Sequence, residues 1–233
     1  MKKTLLQAIA CVTILSLMIV LAATGNRIVT VLSEHAPIEN RRYIIIDPGH
    51  GGIDGGATSC SGILESSINL EISLRLNELM HLLGIHTIMI RTDDRSVYTE
   101  GESIAAKKVS DLKERVRLCN STPNAILISV HQNHFQDTQY HGAQVFYAPS
   151  AQSRELAQRL QAALISAVNQ GSRRNIKRAD GIYLLEKVKC PAILVECGFL
   201  SNPEDDVKLR SSGYQKKLCC VIATTVSQYL SDA

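Results

Sequence analysis

The feature that most constrains this chain is an alternation of two patterns. Short apolar runs, "YIII" (43–46), "IHTIMI" (85–90), "AILISV" (125–130), "AQVFYA" (143–148) and "AILVE" (192–196), are separated by longer stretches with helical spacing. All five read as strands, and "YIII" and the near-continuous "AILISV" as buried ones. In "SSINLEISLRLNELMHLLG" Ile68, Ile72, Leu79 and Leu83 fall on one helical face, with Ser66 or Ser67 as cap and Gly84 as stop. "SDLKERVRLCN" places Leu112, Val116 and Cys119 at i, i+4 and i+7 behind a Ser110 cap. A third helix aligns Leu156, Leu160, Leu164 and Val168, and a last one, near 213–230, carries Leu218, Val221, Ile222, Thr225 and Tyr229. Strands alternating with helices predict an α/β domain with a mostly parallel sheet.

The N-terminus follows another rule. Lys2 and Lys3 precede an uncharged apolar segment, 4–24, long enough to cross a bilayer or to serve as a signal peptide. The positive flank keeps the N-terminus inside and sends the rest outside. The match to a small-residue cleavage site, "LAATG", is loose, so an uncleaved anchor is expected over 1–25, a polar linker over 26–42 and a single functional domain over 43–233, with no further module after it. The alternative is a cleaved, secreted chain.

The 233 residues are 45% hydrophobic, enough for a sizeable core. A net charge of +3, without basic runs, argues against nucleic acid as partner. Aromatics are 4% with no Trp, which does not suggest a broad sugar-stacking platform. Seven cysteines lie mostly in apolar contexts and contain no C-x-x-C pair, so packed thiols are expected rather than a thiolate metal site.

Open α/β sheets bind ligands beyond the carboxyl ends of their strands. Asp47-Pro48-Gly49-His50 follows the first run, His131-Gln132-Asn133 follows the third, and Glu196 closes the last. The glycine-rich stretch after Tyr43–Ile46 fits neither the P-loop, whose lysine it lacks, nor G-x-G-x-x-G. Two histidines and a carboxylate instead form a donor set that suits a catalytic zinc, with a further carboxylate needed for proton transfer. Glu65 and Glu196 both offer that chemistry, and spacing does not say which binds and which shuttles protons.

"IIIDPGHGGIDGGA", "LESSINLEISLRL", "MIRTDD", "LISVHQNH" and "PAILVECGFLSNPED", in that order, resemble the zinc-dependent N-acetylmuramoyl-L-alanine amidase family (amidase type 3) over about 43–230. The resemblance implies a six-stranded mixed, mostly parallel sheet flanked by helices, with the active site at the strand C-terminal ends. It also implies hydrolysis of the amide between N-acetylmuramic acid and L-alanine in peptidoglycan. It places the Zn²⁺ ligands at His50, Glu65 and His131 and the catalytic carboxylate at Glu196. "KKVSDLKERVRLCN" and "DGIYLLEKVKCPAILVECGFLSNP" are similar to the sporulation-specific, CwlD type. That type implies a role in spore cortex maturation and germination, a muramic acid deacetylase acting next on the path to muramic-δ-lactam, and an accessory lipoprotein. It implies an exported location, facing the cell wall or the forespore intermembrane space. Many family members carry Leu-Arg where this chain has Leu185-Glu186-Lys187, which puts that substrate contact in doubt here.

Arg91 is read either as a contact to a substrate carboxylate or as a structural partner of Asp93 or Asp94. Asn133 either orients the site or closes a turn. His134 and His141 read as loop residues, and His35, His81 and His86 receive no role. Cys197 reads as a packed thiol. Two alternatives stand beside the cortex amidase: a vegetative amidase in cell separation, and a non-catalytic wall-binding protein on the same fold.

Overall fold

The computed structural model describes residues 41–232, so the expected anchor and most of the linker lie outside the described residues. These residues form one α/β domain. Its strands are β1 (Tyr43–Pro48), β2 (Thr87–Met89), β3 (Ala125–Asn133), β4 (Gln144–Tyr147), β5 (Lys177–Arg178) and β6 (Ala192–Phe199). Its helices are α1 (Glu65–Leu82), α2 (Ile104–Ser121), α3 (Ala151–Ala167), α4 (Tyr183–Lys187), α5 (Pro203–Arg210) and α6 (Ser212–Asp232). Among the described residues no helix is long and apolar enough to cross a membrane.

The strands form one mixed sheet in the order β2-β1-β3-β6-β4-β5. β1, β2, β3 and β6 run parallel, β4 runs against β6, and β5 follows β4. The carboxyl ends of β1, β3 and β6 therefore converge on one edge. Both faces of the central strands are covered. Ile44 and Ile46 pack with Ile72 and Leu76 of α1, Leu160 of α3 and Ile222 of α6. Ile45, Leu127 and Leu194 pack on the other face with Cys119 of α2 and Leu184 and Leu185 of α4. Burial on both sides is what the unbroken apolar runs required.

Several elements differ from expectation. α1 starts at Glu65 and uses no Ser66 or Ser67 cap. Loop carbonyls take its first amides instead: Glu65 donates to Ala57 O and Ser66 to Gly55 O. This satisfies orphan N–H groups that a cap side chain would otherwise hold. Its buried stripe is Ile68, Ile72, Leu76 and Met80, with Leu83 largely exposed. Gly84, at φ +73°, ends the helix as expected. α2 starts six residues before Ser110, at a Ser103 cap whose hydroxyl accepts from the Ala106 amide. Its first turns face solvent and so carried no apolar spacing. The last helix, α6, covers the expected 213–230, but a short α5 that was not expected precedes it, started by Asn202 and Pro203. β5 and α4 had no periodic signal, being two and five residues long.

Three of the six described cysteines are buried, Cys119, Cys197 and Cys219, and Cys190 is half-buried. Cys60 and Cys220 are exposed, so packed thiols account for only part of the set.

Candidate active site

On the α2-facing side of β3 the alternation reads Leu127, Ser129, His131, passing from core to polar at the carboxyl end. β1 does the same with Ile45 and Asp47, and β6 with Leu194 and Glu196. The register pairs Asp47 with Ser129 and His131 with Glu196. His131 and Glu196 lie inside their strands rather than after them, because β3 runs on to Asn133 and β6 to Phe199.

His50 enters the same space from the turn after β1, in the left-handed region at φ +60°. Its Nε2 lies 3.2 Å from Glu65 Oε2, and His131 Nδ1 lies 2.9 Å from Glu65 Oε1. The two imidazoles meet edge to face at 4.9 Å. One donor atom from each of His50, Glu65 and His131 fits within 4.8 Å of the others. Tetrahedral ligands about 2 Å from a single ion stand roughly 3.3 Å apart, so the donor set fits a zinc-sized metal. The site is also supported from behind. Asp54 Oδ2 takes His50 Nδ1 at 2.9 Å, fixing the ring as outer carboxylates do at metal sites. Glu65 accepts from the amides of Ala57 and Gln132 and from Asn69 Nδ2.

Burial alone would suppress the positive form of His50, but hydrogen bonds and charge from Glu65 and Asp54 outweigh it and raise its pKa to about 9. Burial works against the Glu65 anion too, yet the two histidines hold that carboxyl well below its ordinary range. Glu196 is the contrast. Burial pushes it up to about 7, the Glu65 charge adds to this, and the histidines offset only part. Its Oε2 is buried and accepts no hydrogen bond from the protein. Two glutamates near the same pair of imidazoles are thus driven apart, one toward a permanent anion and one toward a group that exchanges protons near neutrality.

Glycine has a specific task at two positions. A Cβ on Gly49 would stand 2.2 Å from His131 Nε2, and one on Gly56, at φ +69°, 2.6 Å from Glu65 Oε2. These glycines make room for the donor side chains of neighbouring elements.

Arg91 is completely buried, which corrects the reading of it as a substrate contact. Its guanidinium donates to the carbonyls of Pro48, Gly49, Ser66 and Asp93. Arg115 donates to the carbonyls of Pro48 and His50, and pairs with Asp47 and Asp111. Every carbonyl from Pro48 to His50 therefore receives an arginine. Asn133 ends β3 half-buried, with its carbonyl accepting from the Leu200 amide. Cys197 is buried on the opposite side of β6 from Glu196, within the core. Lys187 is exposed at the end of α4.

A groove of about 410 Å³ runs over His50, His131 and Glu196, between Lys108 and Leu112 of α2 and Ile182 and Tyr183 at the start of α4. Lys108 Nζ lies 2.7 Å from Asp54 at its lip. Sequence reasoning missed Asp54, Lys108 and Arg115. Arg115 did leave a trace: it lies three residues after Leu112 and four before Cys119, a charge on the apolar face of α2.

An α/β domain with a His–Glu–His donor cluster and a buried carboxylate of raised pKa has the layout of a metal-dependent hydrolase. The sequence profile of the N-acetylmuramoyl-L-alanine amidase family matches residues 44–228, and the chain belongs to that family. It is 34% identical to the germination-specific N-acetylmuramoyl-L-alanine amidase of Bacillus subtilis over 82% of this chain and 81% of that one. The structure of the CwlD amidase from Clostridioides difficile in complex with the GerS lipoprotein superposes with a TM-score of 0.79. Identity to it is 36%, covering 83% of this chain and 100% of that one. An N-acetylmuramoyl-L-alanine amidase from Clostridium difficile 630 follows at TM-score 0.71 and 31% identity, covering 82% and 98%. The chain is thus an amidase on the fold expected for it, a six-stranded mixed sheet flanked by helices.

Proposed function

We propose that this chain is a zinc enzyme of spore cortex maturation. It hydrolyses the amide between the lactyl carbonyl of N-acetylmuramic acid and L-alanine, the step that precedes muramic-δ-lactam formation and permits germination. Similarity to the germination-specific amidase supports this subtype. The observation that carries the chemistry is the His50, Glu65 and His131 donor cluster, whose two histidines line one groove with the orphaned Glu196 carboxylate.

His50, Glu65 and His131 would hold Zn²⁺, which when bound polarises the scissile carbonyl and acidifies its water. Glu196 accepts the proton of the attacking water at its carboxylate. It then passes that proton to the departing alanine nitrogen, and a pKa near neutrality suits both halves of the task. Asp54 keeps His50 turned toward the donor cluster. Arg91 and Arg115 hold the turn that presents it.

The catalytic unit is 43–233. The apolar segment 4–24 would anchor it on the outer face of the membrane, toward the cell wall or forespore intermembrane space. The C. difficile relative, solved with the GerS lipoprotein, supports an accessory lipoprotein here as well. A muramic acid deacetylase would act next on the stripped muramic acid.

The test is incubation of the full chain with peptidoglycan, with and without a chelator. New alanine amino groups, lost with chelator and restored by Zn²⁺, are expected. New reducing ends would instead indicate cleavage of the glycan. Spores lacking the gene should lack muramic-δ-lactam, and normal lactam content would sink the cortex assignment.

A further inference from the structure

Beyond the catalytic groove, the loop 134–142 between β3 and β4 places two aromatic rings in solvent. Phe135 is 53% exposed and Tyr140 43%. The rings meet at 88° with centroids 5.1 Å apart, and Tyr140 stacks on buried Phe199 at 6.3 Å. Arg174 covers Phe199 at 4.7 Å. The rings are held in place. Ser201 Oγ accepts from the Phe135 amide, Asn202 Nδ2 donates to Thr138 O, and Asp205 Oδ2 accepts from the Gly142 amide. Three residues of "FLSNPED" thus tie down a loop that would otherwise be a mobile tip.

Exposed rings fixed in this way present a flat apolar face to a ligand rather than to a core. Their position is defined by the sheet. Phe199 pairs with Asn133, and it lies three residues beyond Glu196 in β6. At about 3.3 Å per residue this puts the backbone of Phe199, on which Tyr140 stacks, at most about 10 Å along β6 from that of Glu196. Tyr140 is also one wall of a polar cleft of about 730 Å³, with Gln139, Asn169, Gln170 and Arg173 around it. A flat ring flanked by amide and guanidinium groups matches a pyranose, whose C–H face stacks while its hydroxyls and acetamido groups take hydrogen bonds.

We propose that Phe135 and Tyr140 form a glycan subsite that stacks a sugar of the strand neighbouring the muramic acid being stripped. This deepens the peptidoglycan reading and rests on it. It makes the enzyme prefer strands over isolated muropeptides, with the 134–142 loop as the specificity element.

The experiment uses the zinc-loaded full chain and two substrates: peptide-bearing glycan strands and the single-sugar N-acetylmuramoyl-L-alanyl-D-isoglutamine. Chitotetraose, which carries no peptide, serves as a binding probe by calorimetry. Phe135→Leu keeps apolar bulk but loses the flat ring, and Tyr140→Ala removes the second ring. Each should weaken chitotetraose binding about fivefold to tenfold, the usual cost of truncating an aromatic contact. Each should also raise KM on strands by a similar factor, well beyond any loss on the single-sugar substrate. Phe135→Trp should retain wild-type behaviour. Unchanged chitotetraose binding in both variants overturns the proposal, as does an equal loss on the two substrates, which would mark a structural role. If the wild type cleaves neither substrate, the amidase reading fails, while the chitotetraose titration still decides the subsite.

Discussion

Arg115 and Asp47 form an ion pair beneath the turn that carries His50, and both side chains are almost wholly buried. Burial works against the Asp47 anion, but the guanidinium and the Ser129 hydroxyl hold its carboxyl below the ordinary value. The same guanidinium reaches the carbonyls of Pro48 and His50. One side chain thus links the core of β1 to the backbone of a residue in a left-handed conformation.

Arg115→Ala should strand Asp47 as a buried charge and destabilise the fold by about 3–5 kcal/mol. Arg115→Lys keeps the charge but not the fork, so some of these bonds are lost, at roughly 1–3 kcal/mol. Denaturant unfolding measures both. Zinc affinity should fall in the lysine variant, since the His50 turn loosens. Wild-type stability in Arg115→Ala would show that the pair contributes nothing net.

Gly49→Ala addresses the close approach between β1's turn and His131. The added methyl would overlap the imidazole. The His131 ring must move, so metal content should drop sharply while the circular dichroism spectrum stays native. Full metal occupancy in this variant would contradict the geometry.

Glu196→Gln removes the proposed proton-transfer group and leaves the three donors untouched. Zinc content should remain at the wild-type level, and kcat should fall at least about 10²-fold. In the wild type, kcat/KM should climb with pH along an acid limb whose midpoint lies at or below about 7, the value that burial sets for this carboxyl without metal. A bound cation moves the limb down, never up. A midpoint well above that value would assign the limb to another group.

Metal uptake should depend on pH through His50. Its pKa of about 9 in the metal-free site lies above the ordinary 6.5. The sign follows from the raised value. The charged imidazole stabilises the metal-free fold fully below pH 6.5, and this contribution is lost as pH rises through about 9. A metal must displace that proton, so zinc affinity should rise by up to about tenfold per pH unit over this interval and then level off. Competition titrations with a chromophoric chelator would read it, and a flat profile would refute it. Asp54→Asn should lower the His50 pKa and shift the plateau to lower pH, while costing about 10–100-fold in affinity through loss of the orienting carboxylate.

Much of the site was legible because strand ends are local features. Apolar runs that end at Ile46, Val130 and Val195 announced where His50, His131 and Glu196 would gather. Parallel pairing of β1, β3 and β6 then brought them to one edge. Other features left little trace. Arg91 was weighed as a substrate contact, yet its four acceptors are backbone carbonyls from three separate segments. Carbonyls belong to every residue, so no pattern of side chains points to them.

The sequence by itself determined the α/β alternation, the buried strands and the residue types available at their ends, since hydrophobic periodicity records local burial. Residues alone left Glu65 and Glu196 interchangeable, and only family resemblance separated them. The tertiary structure decided their environments. Loop carbonyls start α1 at Glu65 and place its carboxylate between two imidazoles and two backbone amides. The register of β6 on β3 leaves Glu196 beside His131 with one oxygen buried and unbonded. A carboxyl's proton affinity depends on the charges and donors within a few ångströms, and those neighbours come from segments far apart in the chain.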